Sequence, residues 1–202
     1  MAGFVAREVD TELPGLRLRH ATVAHRPGRS SPELVRRLRW LSDRVRGAGV
    51  VAMRTNPVPR AYRSFFRQIG LDPDVRPVPS EEAAIARLLH GGFRSTTLLG
   101  DACLVGLLET GVPVWALDAA LVDELGPGIR TSTVGDPVGP RLIPGSLVVA
   151  DGSSVHAELF GEPLDGHGVN SRTTRVTLYA VAVDGVPEIH LDEALWCVLE
   201  LI

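Results

Sequence analysis

Residues 56–92, NPVPRAYRSFFRQIGLDPDVRPVPSEEAAIARLLHGG, decide how the fold is read, because they spell two helices joined by a proline-rich connector. Asn56 stands where a helix cap belongs, and Pro57 follows at the first helical position, where a missing N–H is no loss. Ala61, Phe65, Phe66 and Ile69 recur at helical spacing and predict a buried face, with Arg60, Arg63 and Arg67 on another. Gly70 marks the stop. The connector, residues 71–79, holds three prolines and is expected to be extended and stiff. Ser80 is expected to cap the second helix, with Glu81 and Glu82 at the positive end of its dipole. Ala84, Ile85, Leu88 and Leu89 then form its buried face, and Gly91 and Gly92 end it.

Outward from this stretch the pattern predicts an α+β fold. Residues 16–25 alternate apolar and polar and read as a half-exposed strand. Ser31 and Pro32 repeat the cap-plus-proline device and open a helix with Leu34, Leu38, Leu41 and Val45 as its buried stripe. Gly47 and Gly49 are expected to end it, and residues 50–54 to form a short buried strand. Residues 98–108 are apolar nearly all round and predict a central buried helix. Its Asp101 either faces inward with a partner or is satisfied at the helix N-terminus. Residues 112–116 read as a strand, and 117–125 as a helix capped near Asp118. Further strands are expected near 129–134, 147–150, 155–160 and 175–183. A closing helix, 191–199, carries Trp196 on its apolar side, and Phe65, Leu88, Leu104 and Trp196 are expected to be inaccessible.

Composition narrows the function classes. At 202 residues the chain is read as a single domain, with helices packed on a β-rich, sandwich-like layer. No apolar run reaches the roughly 18 residues of a membrane span, so a soluble, cytoplasmic protein with no membrane partner is expected. Cys103 and Cys197 lack metal-ligand spacing and read as free thiols; no metal and no cofactor are expected. There is no lysine. Residues 1–94 hold 17 arginines and 9 acids, residues 95–202 hold 4 and 15, so the basic half is what a phosphate backbone would meet. A solvated helix face accounts for those arginines equally well. GxSxG, HExxH, CxxC and Walker patterns are absent, which leaves no stand-alone catalytic motif.

The order of motifs resembles the B3/B4 domain of the phenylalanyl-tRNA synthetase beta subunit, in particular small stand-alone proteins made of that domain. The likeness starts in RAYRSFFRQIGLDPDVRPVPSEEAAIARLLHGG and continues through GVPVWALD (111–118), GPGIRTSTVGD (126–136), PGSLVVAD (144–151) and VNSRTTRVT (169–177). It covers about residues 54–183. Thr97-Leu98 stands where the family has an Asn-Pro pair, Leu104 replaces a polar residue, and Asp101 matches an acidic position.

The resemblance implies a metal-free editing cleft that hydrolyses mischarged aminoacyl-tRNA, with tRNA or aminoacyl-tRNA as the partner. The 202 residues are not expected to charge tRNA by themselves. Two other readings stay open: a non-catalytic tRNA- or RNA-binding module, and a relic that binds a small metabolite in the old cleft. Asn170 and Arg172 are expected to face one cleft with Thr97, Asp101 and Asp118. There Arg172 would anchor a phosphate or carboxylate, Asn170 and Thr97 would orient an ester carbonyl or water, and Asp118 would receive an α-ammonium. His90, at a helix end, and His167, in the polar loop 161–174, are further candidates for substrate contact. Arg36, Arg37, Arg39, Arg60, Arg63 and Arg67 are the candidate RNA contacts.

Overall fold

The computed structural model describes residues 1–45, 47–136 and 143–202 and is α+β, with two small antiparallel sheets. The chain divides into two compact units, each assembled from separated segments: residues 1–27 with 115–182, and residues 28–114 with 183–202. No helix among the described residues is long and apolar enough to cross a membrane.

The first unit carries the strands. Helix α1 (Arg7–Glu12) precedes β1 (Arg17–Ala24), and one sheet runs in the order β1, β6 (Arg175–Ala182), β2 (Val114–Asp118). The second sheet runs β3 (Gly128–Thr131), β4 (Leu147–Ala150), β5 (Val155–Glu158). Strand β6 is buried along nearly all its length because VTLYAVA has apolar residues on both faces, as a central strand requires. It pairs with β1 in unbroken register from Arg17↔Ala182 to Ala24↔Arg175. The Thr22 and Thr177 hydroxyls meet at 2.9 Å on one face of that pair. The loop 161–174 is stitched to both sheets, by a bridge between Leu117 and Gly168 and another between Ala157 and Pro163. It is therefore a built surface. The helix expected over 117–125 is a single 3-10 turn, Ala119–Leu121, because Asp118 caps it but no apolar stripe follows to hold further turns.

The second unit carries α2 (Pro32–Arg44), α3 (Gly47–Met53), α4 (Pro57–Gln68), α5 (Pro79–His90), α6 (Leu98–Thr110) and α7 (Ile189–Leu199). Ser31 caps α2 by accepting from the Leu34 N–H at 3.2 Å, and Pro32 opens it. Leu34, Leu38 and Leu41 then pack on Val105 of α6, with Leu104, Leu108 and Cys197 around them. Gly106 lets α7 approach closely, since a Cβ there would meet Val198 at 3.1 Å. Of the expected strand 50–54, residues 50–53 belong to α3 and Arg54 to a turn; the break falls at Val45, whose backbone is extended, and Gly47 and Gly49 lie within α3.

Three expectations about buried faces are corrected by one ion pair and one stripe. Arg63 of α4 and Glu81 of α5 turn inward together, 7% and 1% exposed, with Arg63 Nη1 donating to Glu81 Oε2 at 2.8 Å and Nη2 to Asp74 at 2.7 Å. This pulls Ser80, Glu81 and Ala84 to the buried side of α5 and leaves Leu88 and Leu89 exposed. Helix α5 begins at Pro79, so Ser80 lies in its first turn and caps nothing. The connector is not extended throughout: the Asp72 carboxylate accepts from the Asp74 N–H at 2.9 Å and closes a turn. On α7 the stripe Leu191, Ala194, Leu195, Val198 is buried, which puts Trp196 outside it, 65% exposed. Leu104 is half-buried, and Phe65 is buried as expected.

Candidate functional site

The densest chemistry lies in the first unit, where the β4–β5 turn meets the loop 161–174. Asp151 ends β4 in the turn DGSS. Its Oδ1 accepts from the Ser153 N–H (2.8 Å), the Ser154 N–H (2.7 Å) and the Ser153 hydroxyl (2.9 Å), the bonds that an Asx turn provides. Its Oδ2 accepts from the Asp123 N–H and faces His156 Nε2, both at 2.9 Å. Burial alone would raise this carboxyl's pKa, but the hydrogen bonds from Asp123, Ser153 and His156 together hold it well below the usual carboxylate range. Asp151 is thus a carboxylate, an acceptor only.

His156, fully buried on β5, extends the line: its Nδ1 lies 2.9 Å from Nδ1 of His167. The acceptor at one end fixes the proton nearest to it. Asp151 requires an N–H of His156 on Nε2; in the neutral tautomer that satisfies this, Nδ1 is an acceptor. That nitrogen requires the N–H of neutral His167 on Nδ1. His167 is half-buried, and its Nε2 keeps a lone pair with no partner among the described residues. Burial, the largest cause, lowers the pKa of His167, which favours its neutral form near neutrality.

The backbone around His167 is equally fixed. Its N–H donates to the Leu164 carbonyl and its carbonyl accepts from the Asp118 N–H at 3.0 Å. Asp118 in turn accepts from the Ala120 N–H (3.0 Å) and from the Thr173 hydroxyl (2.7 Å), while Thr173 accepts from the Asn170 N–H (3.1 Å). The carboxamide oxygen of Asn170 accepts from the Arg172 N–H, which leaves its NH₂ and the exposed Arg172 guanidinium at the surface.

Of the residues singled out in the sequence, the structure ties together Asp118, His167, Asn170 and, through its backbone, Arg172. Oδ1 of Asp118 caps the 3-10 turn and Oδ2 holds Thr173 of the loop, which accounts for it without an α-ammonium. Thr97 and Asp101 lie in the other unit and serve α6. Thr97 caps the helix by accepting from the Gly100 N–H at 3.1 Å. Asp101, 1% exposed, accepts from the Ser30 and Ser95 hydroxyls, both at 2.5 Å, and from the Thr96 N–H at 2.9 Å. Both readings of Asp101 therefore hold at once: it is buried, and it is satisfied at the helix N-terminus. His90 is exposed and its ring bonds the Ala86 carbonyl one turn back. Among the six arginines, Arg36, Arg39, Arg60 and Arg67 are exposed. Arg63 is spent on Glu81 and Asp74, and Arg37 grips Glu109 with two bonds, 2.9 and 2.6 Å.

Asp151 and His156 were missed in the sequence. The turn signature DGSS was there to read, but the histidine inside a strand buried on both faces gives no periodic signal. Among the described residues no group of three or more His, Cys, Asp and Glu side chains is arranged to hold a metal. Burial and then Glu109 push the Cys197 thiol up to about 11, a poor nucleophile at neutral pH. No protein-family model and no curated protein matches the chain.

Proposed function

We propose that this chain hydrolyses an activated acyl ester with His167 as general base, and that the ester is a mischarged aminoacyl-tRNA, as the resemblance to B3/B4 editing domains implies. The Asp151–His156–His167 chain carries the reading, since it ends on a half-buried imidazole whose Nε2 has no partner among the described residues. In the reaction Nε2 takes a proton from water while the oxygen attacks the ester carbonyl carbon. The tetrahedral oxyanion collapses, the bond to the ribose oxygen breaks, and the imidazolium returns the proton to that oxygen. Asp151, through His156, stabilises the imidazolium that forms in between. The Asn170 NH₂ supplies a donor for the oxyanion and Arg172 an anchor for a phosphate.

Deacylation of a panel of mischarged tRNAs tests this. Hydrolysis above the buffer rate is expected, falling roughly 100-fold or more in His167→Ala, the usual contribution of a general base. Arg172→Ala is expected to raise KM with little change in kcat. Folded protein that deacylates nothing, or a His167→Ala variant as fast as the wild type, removes the catalytic reading.

A further inference from the structure

We propose that the second unit holds a separate pocket for an unpaired RNA base, stacked on Trp40. Trp40 lies on α2 and is 55% exposed, although a large aromatic on a helix face has every reason to be covered. Arg36, Trp40 and Arg44 fall at i, i+4 and i+8, so they form one ridge along α2. The Arg44 guanidinium sits 4.5 Å from the Trp40 ring centroid, and Arg36 is exposed. Beside the ridge opens a cleft of about 340 Å³, lined by Trp40, Leu41, Arg44, Leu108 and Glu109 among others. That volume lies at the lower end of the range for ligand pockets, about 300–1,000 Å³.

The chemistry of these walls selects the occupant. A flat π-system on an indole, with a guanidinium over the same ring, is the platform that single-stranded nucleic acids use. Arg36 and Arg44 supply phosphate contacts on either side of the platform. Glu109 is fixed by both bonds from Arg37, and its remaining lone pairs accept from an exocyclic amine of adenine, cytosine or guanine. An acidic peptide would satisfy the arginines but leave the indole and the carboxylate unused. Duplex RNA, whose bases are stacked inside, would leave the cleft empty. The inference deepens the aminoacyl-tRNA reading by naming where an unpaired segment of RNA is held, yet it makes no use of His167.

Tryptophan fluorescence titration with a single-stranded RNA oligonucleotide, the same sequence as a duplex, and an acidic peptide tests the assignment. Single-stranded RNA is expected to quench the emission and to bind more tightly than the other two. Trp40→Ala should weaken that binding roughly 5- to 150-fold, the span of one base stacked on an aromatic ring. Because Trp40→Ala removes a reporter, the affinities of the variants are measured with a labelled oligonucleotide. Trp40→Phe keeps a stacking face and should recover most of the loss, and Arg36→Ala should flatten the salt dependence. Wild-type affinity in Trp40→Ala with an unchanged circular dichroism spectrum, equal affinity for duplex, preference for the peptide, or no RNA binding at all overturns the proposal. His167→Ala should leave the oligonucleotide affinity unchanged, so a failure of hydrolysis and a failure of base binding show up separately.

Discussion

Replacing Glu81 by alanine isolates the strongest structural claim about the second unit. Glu81 is 1% exposed and holds Arg63 by bonds of 3.1 and 2.8 Å. Its removal strands a guanidinium that is itself 7% exposed. Truncating one partner of a buried pair costs about 3–5 kcal/mol. Asp74 keeps its 2.7 Å contact with Arg63 and, being more than half exposed, gives the cation a route to water, so the low end of about 3 kcal/mol is expected. With a urea m-value of about 2 kcal/mol/M, that is a fall of about 1.5 M in the unfolding midpoint. The double variant Arg63→Met with Glu81→Leu removes both charges and refills the volume, and should recover most of the loss. The assay is urea unfolding followed by circular dichroism and by tryptophan emission. A Glu81→Ala loss below about 1 kcal/mol, or a double variant no more stable than the single, refutes the claim that desolvated charge sets the energy here.

The histidines give two tests in pH. The pKa of His167 is lowered, so the deacylation rate should rise with pH through an inflection below 6.5 and be flat above it. Asp151→Asn removes the carboxylate that raises that pKa, and should move the inflection lower as well as slow the reaction; an inflection that stays in place counts against the relay. His20 on β1 is buried, 3% exposed, with neither ring nitrogen bonded among the described residues, and burial, then the terminal ammonium, lower its pKa. The folded chain therefore resists a proton that the unfolded chain accepts. Stability contributed by neutral His20 is complete above 6.5 and is lost as pH falls below it, by at most about 1.4 kcal/mol per pH unit. His20→Leu should flatten the dependence of Tm on pH between about 6.5 and 5, and an unaltered slope would show that other groups set it.

Much of the fold was legible because local chemistry and tertiary packing agree there. The Ser31 cap and Pro32 opening of α2, the left-handed Gly91 after α5, and the strands at 147–150 and 175–182 all rest on short-range rules, whereas Asn56 precedes Pro57 of α4 without a side-chain cap bond. The misreadings share a cause. Leu88, Leu89 and Trp196 are apolar and were placed inside, but an amphipathic pattern tells only how many faces a helix has, and partners decide which face turns in. Arg63 chose for α5, and small residues chose for α7, where Gly106 of α6 admits Val198 and Ala194. The residues 47–53 show the converse, since glycine and valine argue against a helix that forms nonetheless.

The candidate site was only half legible, and the reason bears on why it is a site. Asn170, Arg172 and His167 sit in polar, turn-rich sequence where function is sought, and Asp118 ends a strand. Asp151 opens the turn DGSS at a strand end, and His156 hides inside a strand. Yet the backbone and hydroxyl donors of the DGSS turn satisfy Asp151 before any histidine is counted, with Oδ1 accepting three bonds and Oδ2 one from Asp123. The fold has no electrostatic need of His156. At a position with no exposed surface, an apolar side chain of similar volume would fill β5 without the desolvation of two ring nitrogens. A polar residue buried where packing does not ask for one, bonded to a carboxylate behind and a half-buried imidazole in front, is what a proton path requires and what a strand core does not.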